Sequence, residues 1–492
     1  MEDAWKFNFR TDSFEFGKNG VLLSARRELG DKIGSEVYSF CVKSADCGGL
    51  QAEARYFLPE GCLDLFSTID GTNISQYKFL IEKKLLIPHE ETSFDAAHSP
   101  GAYKILRPEP VPFISYPYEW CFSQLKDAAL ATLAIQQYAL QFGMTLKDAS
   151  AFNIQFVDGK PLLIDTLSFE IYKKGNPWNA YRQFCEHFLA PVALMSYTDV
   201  RLSQLTRVFM DGIPLNLAAR LLPLRARVRP ALFMHIVLHA RSQARFADAH
   251  TNPEGGGSRF MDVSTMIRLT KSLQAAILRL YWNPRGTEWG EYYNDTNYGD
   301  TAFSQKEKLI EKFLDQQKPS VIWDIGGNTG FFSRSASQRG IPTISFDIDP
   351  AAIEKSYREA VRKKEKTILP LVIDIMNPSG ALGWRNRERD SLENRGPADM
   401  AFALALIHHL AISNNLPFQQ IADFFADICR SLVIEFVPKS DSNAQRLLKS
   451  RKDIFPDYTE KHFEAAFKTR FDIRERVTIA GSERVLYYMQ KH

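Results

Sequence analysis

In 319-PSVIWDIGGNTGFFS-333, an apolar run ends in an acid, and two glycines, an asparagine and a third glycine lead straight back to Phe-Phe. A short apolar run closed by turn residues reads as a buried strand. The glycines permit a turn too tight for ordinary side chains, and the returning apolar pair opens a helix. Strand, tight turn and helix together place backbone N–H groups at the carboxyl end of a strand. In open α/β sheets that is where ligands bind.

The pattern continues outward from this turn. After residue 320, short β-branched runs (VIWDIG, PTISFDID, ILPLVIDI, DMAFALAL, SLVIEFV) alternate with helix-like segments. Such alternation predicts an α/β domain with a mostly parallel sheet flanked by helices. Two ligands suit the turn: a dinucleotide or S-adenosylmethionine. The dinucleotide fingerprint G-x-G-x-x-G fails, because Asn328 follows Gly326 at the second glycine position and Phe331 stands at the third. An acid ahead of the glycines is also awkward for a pyrophosphate, whereas it suits a ligand carrying a sulfonium and an ammonium.

From Tyr293 to the C-terminus the sequence resembles the class I S-adenosylmethionine-dependent methyltransferases. Asp324-Ile-Gly326-Gly327-Asn328-Thr-Gly330 is similar to the family's first motif, with Asn328 at the usual middle glycine. Asparagine is the non-glycine residue that best tolerates positive φ. The resemblance implies a Rossmann-like domain with a mostly parallel seven-stranded sheet and S-adenosylmethionine as cofactor. It further implies that Asp347, ending the next strand beside Ile348, accepts the ribose hydroxyls, with Asp349 a rival. Asp374, ending the third strand, would contact the adenine amino group, and Ile375 would flank the ring. Tyr298, within 292-YYNDTNYGD-300, is the candidate for an aromatic lid over the methionine end.

The stretch 399-DMAFALALIHHLAISNNLP-417 lacks the Asn/Asp-Pro-Pro-aromatic sequence of DNA and protein amide methylases. It resembles the small-molecule methyltransferases, in which a histidine after the fourth strand faces the transferred methyl. His408 or His409 is therefore a candidate general base, with His408 favoured. Glu435, inside the apolar fifth strand, must either meet a cation or face the pocket, because burying it unpaired is costly. The expected acceptor is a small or carbohydrate-like molecule, with an RNA acceptor the alternative.

At 492 residues the chain exceeds what one hydrophobic core supports, ~250–300 residues, so more than one domain is expected. We read 1–250 as an N-terminal α+β domain with a substrate or accessory role, 251–300 as a linker with a helical and aromatic lid, and 301–492 as the methyltransferase domain. Within the first part, Asp148, Asn153 and Asp165 resemble, in spacing, the catalytic-loop Asp and the metal-binding Asn and Asp of protein kinases and aminoglycoside phosphotransferases. A degenerate kinase-like lobe that shapes a substrate is the preferred reading, and a phosphotransferase module with a regulatory methyltransferase-like domain is a further one. The same residues serve equally as loop caps. No metal site is expected in the methyltransferase domain.

The net charge of +3 does not announce a nucleic-acid or membrane partner. Arginines do cluster at 220-RLLPLRARVRP-230, where a phosphate-bearing substrate could be met. The opening MEDAWKFNFR has no apolar signal region, and the most apolar helical stretch, 127–144, is interrupted by glutamines and an acid. Six scattered cysteines without C-x-x-C spacing suggest reduced thiols, and a cytoplasmic location is expected.

Overall fold

The computed structural model describes residues 7–8, 13–14, 38–43, 52–59, 72–92, 102–242, 261–285, 287, 300–449 and 452–492. Tyr298 and the rest of the expected lid at 288–299 lie outside them, as does the loop at 250–260. The chain divides into two compact units, Met1–Trp282 with Leu382–Arg389, and Asn283–Ala381 with Asp390–His492.

The first unit is a mixed α+β structure. Strands β1 (Tyr38–Lys43), β2 (Ala52–Pro59), β3 (His89–Thr92) and β4 (Ala102–Pro108) form an antiparallel sheet in the order β1-β2-β4-β3. Helix α1 (Thr72–Glu82) precedes β3, and the largely buried helix α2 (Phe122–Gln141) follows β4. The polar residues that argue against a membrane span are accommodated in the packed interior. Gln136 Oε1 accepts from the N–H of Leu146 at 2.7 Å and its Nε2 donates to Thr145 Oγ1 at 2.9 Å. No helix among the described residues is long and apolar enough to cross a membrane.

After α2, β5 (Met144–Leu146) pairs with β8 (Phe169–Ile171), and between them β6 (Ile154–Val157) and β7 (Lys160–Leu163) form a hairpin. Asp158 (φ +52) and Gly159 (φ +71) make its two-residue turn, with the positive φ angles that a primed hairpin turn requires. Helix α3 (Val263–Arg279), within the segment expected to be a linker, belongs to this unit: Lys126 Nζ on α2 donates to the carbonyls of Leu278 and Leu280.

The second unit is the expected α/β domain. Its seven strands are β9 (Ile322–Ile325), β10 (Thr343–Asp347), β11 (Ile368–Val372), β12 (Ala398–Ala403), β13 (Cys429–Phe436), β14 (Phe471–Thr478) and β15 (Val485–Lys491). They lie in the order β11-β10-β9-β12-β13-β15-β14. The first five are parallel, and β15 runs antiparallel to both its neighbours. Both faces are buried: α4 (Asp300–Gln317) and α5 (Phe331–Ser337) share one core with Ile322, Phe402, Val433 and Tyr488 on one face, and Trp323, Ala401, Leu432 and Tyr487, which point to the other face of the same strands, are buried as well. That arrangement explains why the strands read as continuous apolar runs rather than alternating ones. The chain leaves β9 toward β10 on one side and crosses to β12 on the other. The loops therefore part at the carboxyl end of β9, and the crevice opens there.

Candidate functional site

Asp324 closes the apolar run of β9 and is almost wholly buried. Ser333 Oγ, from the first turns of α5, donates to its Oδ2 at 2.5 Å. Burial pushes the carboxyl up to about 6, against the pull of Ser333 and of the Lys306 ammonium. Gly326, Asn328 and Gly330 have φ of +77°, +51° and +80°, so asparagine indeed carries a left-handed position here. Gly327 answers to space rather than to φ. A Cβ there would press into Ser345 Oγ and lie 2.9 Å from Asp324 Oδ2.

The N–H groups of the turn do not face the cleft as the strand-turn-helix pattern suggests. Those of Gly326 and Gly327 both donate to the Phe346 carbonyl at 2.8 and 3.0 Å. Asn328 N–H donates to Asp347 Oδ2 at 2.8 Å, Thr329 N–H to the Asn328 side chain at 2.8 Å, and Gly330 N–H to the Gly327 carbonyl at 2.8 Å. Five successive amides are spent inside the protein, so the turn forms no phosphate cradle. Arg334 secures its far end, with Nη1 donating to the carbonyls of Thr329 and Gly330 and Nε to Glu365.

Asp347 ends β10 and lines the cleft. Its two oxygens each accept one amide, from Asn328 and from Asp349 at 2.8 Å, which leaves each oxygen a second lone pair. Burial outweighs these bonds and pushes the carboxyl up to about 7. Asp349 is not a rival: it is the N-cap of α6 (Pro350–Lys363), accepting from Ala351 N–H at 2.7 Å, and it does not line the cleft. Asp374 lines the cleft two residues beyond the end of β11, its Oδ1 accepting from Met376 N–H at 2.8 Å. Ile348 and Ile375 line it too, Ile348 being 54% exposed.

The opposite wall comes from the segment after β12. Ala405 has φ +51°, a costly conformation for a residue with a Cβ. Its N–H donates to Glu435 Oε2 at 2.9 Å, and the same oxygen meets Lys306 Nζ at 2.6 Å. Glu435 is therefore not a pocket residue. It lies fully buried in β13, paired with Lys306 and, at 3.5 Å, with Arg484, which Asp441 also holds at 2.7 Å. The histidine preference also reverses. His408 is buried and absent from the lining, while His409 lines the cleft at the start of a π-helical turn, His409–Ser413. Burial, and then the Arg484 charge, lower His409 to about 4, so its imidazole is neutral at pH 7.

Together these groups enclose a cleft of about 420 Å³. Asp324, Asp347 and Asp374 supply its carboxylates, Lys306 its cation, and Phe303, Leu406 and Leu410 much of its apolar wall. In the first unit, Asp148, Asn153 and Asp165 are near one another but turned inward. Asp165 accepts from Leu167 N–H and Ser168 Oγ at 2.8 Å, Asn153 Nδ2 reaches the same Ser168 Oγ at 3.2 Å, and Asp148 accepts from Ser150 N–H at 2.9 Å. Burial raises Asp165 above the ordinary carboxylate range. Among the described residues no three His, Cys, Asp or Glu side chains are grouped to hold a metal ion.

No family model matches the sequence. Among curated proteins, the nodulation protein NoeA of Rhizobium meliloti (strain 1021) is 37% identical over 388 residues, 77% of this chain and 80% of NoeA. The chain belongs to the NoeA family. Solved structures offer weaker likenesses to this NoeA-family chain. The N-methyltransferase NodS from Bradyrhizobium japonicum WM9 is 14% identical with a TM-score of 0.30, covering 39% of this chain and 97% of NodS. Magnesium protoporphyrin IX methyltransferase from Synechocystis PCC 6803 with bound SAH is 17% identical with a TM-score of 0.30, covering 42% and 93%. WbdD, in co-crystals with a kinase inhibitor, is 17% identical with a TM-score of 0.30, covering 41% and 43%. Likenesses of this strength leave the cofactor to be argued from the chain's own residues.

Sequence reasoning missed Phe303 and Lys306 on α4, Leu406 beside Ala405, and Leu447 near the C-terminal end of the cleft wall. One signal was available for Lys306: an acid inside an apolar strand demands a cation. Its partner lies 129 residues away in sequence, beyond any local pattern.

Proposed function

We propose that this NoeA-family chain is an S-adenosylmethionine-dependent methyltransferase whose cofactor lies in the cleft at the carboxyl ends of β9, β10 and β11. The observation that carries this reading is the pairing of three cleft carboxylates with a glycine turn whose amides are already satisfied. A diphosphate would meet negative charge there and find the N–H groups of the glycine turn already bonded. A ligand with a diol and cationic groups fits instead. Asp347 keeps lone pairs for both ribose hydroxyls, Ile348 and Ile375 offer apolar faces to an adenine, and Asp374 offers an acceptor to its amino group. When bound, the cofactor supplies a methyl already activated by its sulfonium, and the chain aligns and desolvates it.

His409 is the imidazole that lines the cleft and is unprotonated at pH 7; in this reading it accepts the proton of an acceptor hydroxyl, with its basicity reduced by its burial. The cleft carboxylates are assigned to the cofactor, so the acceptor class rests on the stretch after β12, whose Ala-Leu-Ile-His-His-Leu in place of an Asn/Asp-Pro-Pro-aromatic sequence favours a small or carbohydrate-like acceptor. For the first unit, the proximity of Asp165 and Asn153 at Ser168 fits a degenerate kinase-like lobe in an accessory role, and fits loop capping equally. Calorimetric titration with S-adenosylhomocysteine and, separately, NAD tests the cofactor assignment. Saturable heat with the first and none with the second is expected, and the reverse would overturn it.

The raised carboxyls give that titration a pH signature. A folded-state pKa above the ordinary 3.8 means that Asp347 favours the ligand-free fold when protonated, and that this contribution is lost as pH rises toward 7. Asp324 behaves alike, toward 6. Hydroxyl donors favour the ionised carboxylate, so S-adenosylhomocysteine should bind more weakly as pH falls from about 8 to 6, by several-fold. Affinity that is flat over this range, or rises on acidification, contradicts the role given to Asp347.

A further inference from the structure

Residues 205–242 of the first unit contain six arginines and a single acid, Asp211. They fold as short helical turns, Leu215–Leu221, Leu224–Arg227 and Pro230–Leu232, which runs on into a π-helical segment, Phe233–Leu238. These turns pack against one another through Ala218, Leu222, Ala226, Leu232 and Ile236, all buried. That satisfies the inner face, yet large aliphatic side chains also stand outward. Leu224 is 73% and Val228 72% exposed, and Leu221, Met234 and Leu238 are exposed as well. Single exposed aliphatics need no explanation, but several on contiguous turns do.

Arginines interleave with them. Arg220, Arg225, Arg229 and Arg241 are exposed, and among the described residues none of these four has a carboxylate partner. Bulky aliphatics among unpaired cations fit a partner that offers an apolar phase directly beneath a layer of negative charge. An RNA surface offers the charge without the apolar phase, and its unpaired bases call for aromatic platforms. Among the exposed large side chains of these turns Phe233, 37% exposed like Leu221, is the single aromatic, and one ring does not make a stacking platform.

We propose that this face of the first unit docks on an anionic lipid surface, with the arginines at the headgroups and Leu224 and Val228 entering the interface. The contact is extrinsic and requires no spanning helix. It is independent of the cofactor assignment.

Co-sedimentation of the full chain with vesicles tests it. Binding is expected to vesicles of phosphatidylcholine mixed with phosphatidylglycerol, not to phosphatidylcholine alone, and added salt should release it. Leu224→Ser with Val228→Ser, and separately Arg220→Gln with Arg225→Gln and Arg229→Gln, should each weaken binding by about tenfold or more. All five positions are solvent-facing, so the thermal midpoint should not move. Failure to bind the mixed vesicles at low salt overturns the proposal. So does binding that the arginine variant retains in full, or an RNA oligonucleotide shift abolished by that variant in a chain that ignores vesicles.

Discussion

Asp347→Ala should weaken S-adenosylhomocysteine binding by about 10- to 100-fold. The carboxylate sits at the cleft with one amide bonded to each oxygen, so it can accept two further hydrogen bonds from a diol without rearrangement. Losing two charge-assisted bonds costs on the order of 1.5–3 kcal/mol, and each 1.4 kcal/mol or so is tenfold in affinity. The variant also deprives Asn328 and Asp349 of an acceptor, so the comparison must be made well below the variant's own thermal midpoint. Asp374→Ala provides the contrast, because that side chain braces only its own loop. It should cost less, in keeping with one bond rather than two. Calorimetric affinities that are unchanged for Asp347→Ala would remove the ribose assignment.

Glu435→Leu should be the most damaging single change to stability in the second unit. It leaves Lys306 and Arg484 buried without their shared carboxylate and takes the acceptor from Ala405 N–H, which holds a left-handed conformation. Breaking one side of a buried pair typically costs about 3–5 kcal/mol. Arg484 keeps Asp441, whereas Lys306 loses its ion-pair carboxylate and retains the Phe332 ring, 4.7 Å away, and the weaker pull of Asp324. Adding Lys306→Met should therefore restore much of the loss. Urea unfolding of the three proteins decides it: a Glu435→Leu loss under about 1 kcal/mol, or no recovery in the double variant, would show that the pair does not hold this wall.

These two residues also mark the limits of what the sequence conveys. Asp347 was legible because a strand end is a local pattern: a β-branched run, an acid, then a proline-started helix. All five parallel strands were legible for the same reason, since burial on both faces writes itself as an uninterrupted apolar run. Glu435 was legible only as a question. Its cation comes from α4, and nothing in the β13 run points there. The two histidines show a different limit. Which of them faces the cleft depends on the π-helical turn that begins at His409, and one added residue per turn rotates a side chain without leaving a mark in composition. The turn amides were misjudged because the acceptors of three of them, the Phe346 carbonyl and the Asp347 carboxylate, sit on the adjacent strand.

A crystal structure of the chain with S-adenosylhomocysteine tests the central claim most directly. The predicted result places the ribose hydroxyls on the Asp347 carboxylate, the adenine between Ile348 and Ile375, and the sulfur on the His409 side of the cleft. Density for the ligand elsewhere, with Asp347 still bonded only to Asn328 and Asp349, would contradict it.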